Sequence, residues 1–361
     1  MLSDGRRVSS DESLVCAILS TRHARLVSPT FPGMKLLPLL VCPLVALAQE
    51  ALPPFDMSVE RLDPALNALI APETKVEKLA EGFTWSEGPT WYKGSVVFSD
   101  VPDNIVYRWK PGATKAEVWL KPSGLTTPTP GFREQGSNGL GVDAKGNLIL
   151  CQHGDRRIAR MVEHGKFETI AGEIDGKKFN SPNDLAFRRN GDIYFTDPPY
   201  GLEGLNKSPI KQTEWNGVYR VDSAGKVTLL TKDVSFPNGI GFSPDEKILY
   251  VANSDEKNIM AYEVQADGSI AKGRLFFDAA PLAAKGLKGS CDGLKVDAQG
   301  NLWATGPGGV LVLTPAGKHL GTVLTNNATG NCCWGDDGSS LYITADMYLA
   351  RVKTKTKGAG W

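Results

Sequence analysis

Residues 235–253, SFPNGIGFSPDEKILYVAN, contain the pattern that decides the fold. A small polar anchor, Asn238, is followed by a glycine and a short apolar strand. A polar turn at 244–247 separates this strand from a second one at 248–252, so the segment predicts a β-hairpin. Similar units begin at five other polar anchors, which are Glu87, Asn138, Asn183, Asp292 and Asn331.

The six anchors follow one another at intervals of 39 to 55 residues. Further strand candidates, such as 105–109, 217–221 and 259–264, bring each repeat to about four strands. Repeats of roughly 40–50 residues with four strands are typical of β-propeller blades. The sequence therefore predicts an all-β, six-bladed β-propeller over residues 76–355. The strand candidate at 76–79 is expected to close the ring by pairing with the other end of the chain.

The first 75 residues precede the repeats and divide into three parts. Residues 34–48, MKLLPLLVCPLVALA, have a basic start, an apolar run too short to span a membrane as a helix, and an A-L-A end. These are the marks of a secretory signal peptide, which would place the mature protein in the periplasm or outside the cell. We expect residues 1–33 to be a gene-model extension. Residues 49–75 should form an N-terminal arm with a short helix at 62–70, outside the main body.

Composition argues against several classes of partner. Lys+Arg 40 and Asp+Glu 40 give a formal net charge of zero without a basic stripe, so nucleic acid is not an expected partner. Stable membrane association after signal cleavage is not expected either, and no pattern predicts the oligomeric state. The cysteines beyond the signal peptide form no C-x-x-C pair and predict buried apolar side chains; they are Cys151, Cys291, Cys332 and Cys333.

The chemistry of the anchors predicts a cation site at one end of the propeller. If each anchor begins the innermost strand of its blade, all six lie around one mouth. Glu87 and Asp292 offer carboxylate oxygens, and Asn183 and Asn238 offer amide oxygens. Calcium and magnesium prefer such hard ligands, whereas zinc prefers nitrogen and sulfur. Any single Asn-Gly or Asp-Gly pair is more often a turn, so the inference depends on a polar residue recurring in all six repeats.

Five motifs between residues 79 and 352 resemble the senescence marker protein, gluconolactonase and luciferin-regenerating enzyme family, which includes regucalcin. They are GFTWSEGP (82–89), SPNDLAF (181–187), YFTDPPYG (194–201), FPNGIGFSPD (236–245) and CDGLKVDAQGNLW (291–303). Residues 137–160 look most like the bacterial gluconolactonase branch. The resemblance implies a six-bladed propeller with one divalent cation at the mouth of its channel. The implied ligands are Glu87, Asn183, Asn238 and Asp292.

The resemblance also implies a reaction, the metal-dependent hydrolysis of a small-molecule sugar lactone. The cation would polarise the lactone carbonyl, and Asp292 would act as general base. Calcium fits the donor set best, with magnesium, manganese and zinc as alternatives. Asn138, Asn183, His153 and Tyr200 would contact the substrate. His153 is a second candidate base, because an unperturbed histidine titrates near neutral pH.

Two other functions fit the same residues. Diisopropyl fluorophosphatase has a similar propeller with a Glu/Asn/Asn/Asp calcium site, so hydrolysis of fluorophosphates is one alternative. A non-enzymatic secreted binding propeller with structural calcium is the other, because a fold does not fix a function. The chain also departs from regucalcin at Ser181, where regucalcin has a sugar-contacting arginine. Recognition of a sugar would therefore depend on other residues.

Overall fold

The structure, a computed structural model, describes residues 55–360. The predictions for residues 1–48 lie outside the described residues. Six antiparallel sheets of four or five strands follow one another along the described chain. The all-β, six-bladed propeller predicted from the repeats is therefore confirmed. No helix within residues 55–360 is long and apolar enough to cross a membrane.

The strands of each blade are consecutive in sequence, apart from two at the N-terminal end. Strands β1 (Ser58–Arg61) and β2 (Val76–Glu81) flank a 3-10 helix, Pro64–Ala68. Blade 1 contains β3 (Ser86–Tyr92), β4 (Ser95–Asp100), β5 (Ile105–Trp109) and β6 (Glu117–Leu120). Blade 2 contains β7 (Ser137–Val142), β8 (Leu148–Gln152), β9 (Arg157–Glu163) and β10 (Lys166–Ala171). A small hairpin of β11 (Glu173–Ile174) and β12 (Lys177–Lys178) follows.

The second half of the ring has the same order. Blade 3 contains β13 (Leu185–Phe187), β14 (Ile193–Asp197), β15 (Gly217–Val221) and β16 (Val227–Thr231), with a 3-10 helix at Leu205–Lys207. Blade 4 contains β17 (Pro237–Phe242), β18 (Ile248–Asn253), β19 (Asn258–Glu263) and β20 (Arg274–Asp278), and helix α1 (Ala280–Ala283) follows. Blade 5 contains β21 (Leu294–Val296), β22 (Leu302–Gly306), β23 (Gly309–Leu313) and β24 (His319–Leu324). Blade 6 contains β25 (Thr329–Gly335), β26 (Ser340–Ala345) and β27 (Tyr348–Lys353).

The two N-terminal strands complete the last two blades. Strand β2 pairs with β27, which confirms the predicted closure of the ring, and β1 pairs with β24 as a fifth strand of blade 5. The helical segment between them packs onto the propeller, so the expectation that it lies outside the main body is wrong. Leu66, Leu69 and Ile70 are buried in the core shared by blades 5 and 6. The apolar spacing that predicted a separate helix supplies this packing surface.

The hydrophobic core is divided into six clusters, one between each pair of neighbouring blades. Trp303 and Trp334 illustrate the packing between blades 5 and 6, with ring centroids 5.3 Å apart in an edge-to-face arrangement. The four cysteines are free and buried, as predicted. The blades are thus held side by side by apolar contacts around an inner ring of strands.

The glycines beside the anchors allow neighbouring inner strands to approach closely. A Cβ on Gly88 would come 2.0 Å from the carbonyl oxygen of Asn138 in the next blade. A Cβ on Gly239 would come 2.2 Å from the carbonyl oxygen of Asp292. Glycine is required because no other residue avoids these contacts. The glycine after each of these anchors therefore allows the inner strands to pack closely, so that the anchors of adjacent blades lie next to each other.

Candidate active site

A cavity of about 520 Å³ opens at the mouth of the channel, within the roughly 300–1,000 Å³ typical of small-molecule sites. Five of the six anchors line it: Glu87, Asn138, Asn183, Asn238 and Asp292. Its other polar and aromatic walls include Trp85, Arg133, Glu134, Tyr200 and Ser254. The structure thus brings together the four residues predicted as metal ligands and, in Asn138 and Tyr200, two further predicted substrate contacts.

A larger groove of about 940 Å³ lies on the surface beside the loop at 125–132. Three of its charged side chains, those of Asp155, Arg156 and Arg157, already have partners within the protein. Arg157 and Asp155 pair at 2.9 Å, and the buried Arg156 guanidinium donates to the backbone carbonyls of Phe179 and Ile210. The mouth cavity, in contrast, contains buried polar atoms that have no hydrogen-bond partner among residues 55–360. We therefore place the candidate site at the mouth.

Glu87 and Asp292 are the carboxylates of the predicted donor set. Burial raises the pKa of Glu87 to about 8, and the nearby charge of Asp184 adds to this. Burial, followed by the charge of Glu87, raises the pKa of Asp292 well above its ordinary range. The Oδ1 atom of Asp292 has no hydrogen-bond partner among the described residues. Two buried carboxylates that repel each other, with an unpaired oxygen, fit a bound cation.

The amide anchors add neutral oxygens to this set. Asn238 donates through Nδ2 to Ser254 Oγ at 3.0 Å, so its carbonyl oxygen is oriented away from that bond. The Oδ1 atom of Asn138 lacks a hydrogen-bond partner in the described chain, and Asn183 lines the cavity just before β13. Across residues 55–360, no group of three or more His, Cys, Asp or Glu is placed to hold a metal. A cation here would therefore depend on amide oxygens.

The sixth anchor, Asn331, belongs to a polar cluster and does not line the cavity. Asn331 Nδ2 donates to Asp184 Oδ2 at 3.3 Å, and Lys295 Nζ lies 3.7 Å from the same oxygen. Asp184 occupies the position that glycine has beside the other anchors in Asn-Gly and Asp-Gly, so its carboxylate enters the channel. A bound cation would favour the ionised forms of Glu87 and Asp292, so that three carboxylates would face one ammonium group. The two uncompensated negative charges equal the charge of one divalent cation.

His153 does not line the cavity, contrary to the prediction. It is fully buried, and its Nδ1 lies 3.7 Å from Oε2 of Glu134, which does line the cavity. Burial and the charge of Arg133 lower the pKa of His153 to about 3. The ring is therefore neutral at pH 7 and a poor proton acceptor. Its position results from the loop at 121–136, which carries Glu134 in front of it.

Arg133 and Glu134 were not predicted from the sequence, because they belong to the loop between blades 1 and 2 and lie outside the repeated anchor pattern. The signal that could have revealed them is the pair of charges shortly before the Asn138 anchor. Ser181, which the family resemblance predicted to depart from regucalcin, has a structural role. Its hydroxyl donates to the Pro198 carbonyl at 2.6 Å and accepts from the Gly201 N–H at 2.9 Å. It thus holds the loop that carries Tyr200.

Residues 85–346 match the family described as SMP-30/Gluconolactonase/LRE-like region. The chain belongs to this family. A gluconolactonase from Zymomonas mobilis is 40% identical over 316 residues, which cover 83% of this chain and 87% of that protein. The family resemblance predicted from the motifs is therefore confirmed.

Solved structures of SMP-30/gluconolactonase/LRE-like proteins share the fold. A gluconolactonase from Xanthomonas campestris is 30% identical with a TM-score of 0.71, covering 83% of this chain and 96% of its own. Regucalcin from Agrobacterium tumefaciens, a calcium-binding protein, has a TM-score of 0.59 at 19% identity, covering 80% of this chain and 96% of its own. At that identity the likeness shows the fold alone.

Proposed function

We propose that this chain hydrolyses a sugar lactone in the mouth cavity, with one divalent cation bound there. The observation that supports this most directly is that Glu87, Asn183, Asn238 and Asp292 line one cavity. Similarity to gluconolactonases over most of the chain supports the same class of reaction. Calcium is the proposed cation, because carboxylate and amide oxygens are its usual ligands.

A cation bound by these four residues would supply Lewis-acid polarisation of the lactone carbonyl. The residues of this chain would bind and activate the attacking water. Asp292 is the proposed general base, because its unpaired Oδ1 can accept a proton from water. Asn138 Oδ1, which likewise has no partner within the described residues, would accept a hydrogen bond from a substrate hydroxyl.

The remaining walls of the cavity suit a polyhydroxylated ring. Burial raises the pKa of Tyr200, so its hydroxyl remains protonated and can donate a hydrogen bond. Its ring lies 5.5 Å from that of Phe236, which restricts its position. Arg133 adds a permanent cationic donor, and Trp85 adds an aromatic surface. These residues would recognise the sugar in place of the arginine that Ser181 replaces.

Turnover assays on metal-free protein would test the role of the cation. We expect chelator-treated protein to lose turnover of D-glucono-δ-lactone and calcium to restore it, with magnesium, manganese and zinc compared in turn. A panel of other lactones and one fluorophosphate would define the substrate class. Undiminished hydrolysis after chelation would contradict the role of the cation. Turnover of the fluorophosphate but of no lactone would contradict the lactonase proposal.

We also propose that the mature protein acts in the periplasm or outside the cell, on the evidence of residues 34–48 alone. Expression of the full chain, cell fractionation and N-terminal sequencing would test this. Cleavage after Ala48 and recovery from the exported fraction are expected. An uncleaved chain retained in the cytoplasm would contradict the proposal.

A further inference from the structure

Contacts between two loops fix the position of Glu134 in the wall of the cavity. Its own loop, 121–136, is joined to the loop after β14 by an isolated bridge between Phe132 and Leu202. The Arg133 N–H donates to the Gly201 carbonyl at 3.0 Å. These contacts fix the backbone on which Glu134 is carried.

The carboxylate of Glu134 lies between the side chains of Arg133 and His153. Its Oε1 lies 3.0 Å from Nη2 of Arg133, and its Oε2 lies 3.7 Å from Nδ1 of His153. The side chain is 14% exposed, and Glu134 lines the same cavity as Asp292 and Tyr200. It is therefore an ionisable group that can reach a molecule bound beside Asp292.

Hydrolysis of a sugar lactone requires a proton donor as well as a base. When water adds to the carbonyl carbon and the ring C–O bond breaks, the ring oxygen leaves as an alkoxide and must be protonated. Asp292 receives a proton from water in the proposed function and cannot supply one at the same step. Arg133 is permanently charged, and burial raises the pKa of Tyr200, which makes it a weak acid.

The pKa of Glu134 suits a group that donates a proton at neutral pH. Burial raises its pKa to about 7, although the charge of Arg133 opposes the shift. The other ionisable groups around it do not force it to ionise. His153 is neutral, Tyr200 is protonated, and Asp292, as a carboxyl group, contributes no positive charge that would favour the anion. A substantial fraction of Glu134 is therefore a neutral carboxylic acid at neutral pH.

We propose that Glu134 is the general acid of lactone hydrolysis, donating its proton to the ring oxygen as the ring C–O bond breaks. This inference rests on the proposed function. Water forms the new C–O bond and gives one proton to Asp292, while the proton of Glu134 passes to the new hydroxyl. The proton on Asp292 then returns through solvent to Glu134, so the net reaction is lactone plus water to hydroxy acid. His153, behind Glu134, is neutral and adds no positive charge.

The leaving group provides a direct test. We would compare Glu134→Gln with wild type on D-glucono-δ-lactone, which releases an alkoxide, and on dihydrocoumarin, which releases a phenoxide. A phenol has a pKa of about 10, as in tyrosine, so the phenoxide leaves with little need for an acid. We expect kcat/KM to fall about 100-fold for the sugar lactone and less than about threefold for dihydrocoumarin. Glu134→Asp, which keeps a carboxylic acid, should regain part of the sugar-lactone rate.

Controls separate this role from the structure and from the proposed function. Glu203→Gln, on the exposed face of the adjoining loop and outside the cavity, should leave both rates unchanged. Equal losses on the two substrates, or no loss, would overturn the role of Glu134. If wild type hydrolyses only the sugar lactone, the pH dependence of kcat/KM for that substrate tests the role of Glu134. The fall in kcat/KM above about pH 7 must disappear in Glu134→Gln, and its persistence would overturn the proposal. Failure of wild type on every lactone would instead overturn the proposed function.

Discussion

Lys295 Nζ lies 3.7 Å from Asp184 Oδ2, so a built-in ammonium group faces a carboxylate that the repeat places inside the channel. Burial lowers the pKa of Lys295, but nearby groups, above all the charge of Asp184, outweigh burial and keep this pKa above its ordinary value. The lysine therefore remains charged. It also donates to the Leu294 carbonyl at 2.9 Å, which fixes its position.

Replacing Lys295 with methionine tests this pairing, because the apolar stem is kept and the charge is lost. Asp184 is only 3% exposed and would become a buried carboxylate without a counter-ion. We expect the free energy of unfolding of the metal-free protein to fall by about 3 kcal/mol, the lower end for breaking a buried pair. The lower end applies because Lys295 is 26% exposed. Denaturation in urea would measure it.

A matched control is Lys318→Met, which breaks the exposed ion pair between Lys318 and Asp63. Exposed pairs contribute little to stability, so this variant should unfold at nearly the wild-type urea concentration. Similar midpoints for the Lys295 and Lys318 variants would show that the channel lysine is not needed to balance charge.

Glu87→Gln should abolish metal-dependent activity without unfolding the protein. The amide keeps the size of the side chain and removes one of two carboxylates from the proposed cation site. We expect turnover of D-glucono-δ-lactone to fall at least about 100-fold. Calcium should also raise the melting temperature of wild type, because ligands stabilise the state they bind, and should raise that of the variant much less.

Glu203→Gln again serves as the control for Glu87→Gln and should behave as wild type in both measurements. Unchanged lactone hydrolysis in Glu87→Gln, with an intact fold by circular dichroism, would eliminate the metal mechanism. A full calcium-induced shift in melting temperature would mean that the cation binds elsewhere.

Gly239→Ala should be strongly destabilising, because its Cβ would meet the Asp292 carbonyl oxygen at 2.2 Å. The backbone of the neighbouring blade must move to relieve this contact, at a cost of about 1–3 kcal/mol. The displaced residue, Asp292, is the proposed base. Activity should therefore fall by a larger factor than the fraction of folded protein. Gly172→Ala is the control, since its Cβ would meet Thr169 at an ordinary 3.5 Å. Equal stability of the two variants would refute the packing argument for the anchor glycines.

Asp336 predicts an acid-sensitive contribution to stability. Burial raises the pKa of Asp336, but hydrogen bonds from Ser340, Lys353 and Tyr342 outweigh burial and hold it below the ordinary 3.8. The folded state therefore keeps this carboxylate ionised where the unfolded chain protonates it. Its stabilisation is present above about pH 4 and is lost as the pH falls through the lowered value.

Asp336→Asn should accordingly lower the free energy of unfolding by about 1 kcal/mol at pH 7. The expected change is small because the side chain is 23% exposed. The cost should shrink towards zero in acid. Chemical denaturation of wild type and variant between pH 3 and pH 7 would give the difference at each pH. A cost that is as large at pH 3 as at pH 7 would rule out the proposed linkage.

Much of the ring was predictable because each repeat carries its own information. Alternating apolar residues predict the two inner strands, and the polar anchors predict where Glu87, Asn183, Asn238 and Asp292 meet. Residues outside the repeat were not predictable in this way. His153 was expected in the cavity, but its burial depends on a loop without a repeated pattern that brings Glu134 in front of it.

The same limit applies to the N-terminal segment, where helical spacing could not reveal that Leu66 packs on blades 5 and 6. Asn331 shows a further limit. It occupies the anchor position of its repeat, yet Asp184 and Lys295 bind it in the channel. The local pattern predicted its place in the strand, whereas its partners come from two other blades.

The pairing of β2 with β27 joins residues 76–81 to residues 348–353. During synthesis, a ribosome must release almost the whole polypeptide before the ring can shut. The mouth cavity takes residues from blades 1 to 6, so no smaller subset of blades would assemble it. A chain truncated before residue 348 is therefore expected to be inactive, and proteolytic removal of the C-terminus should abolish activity completely.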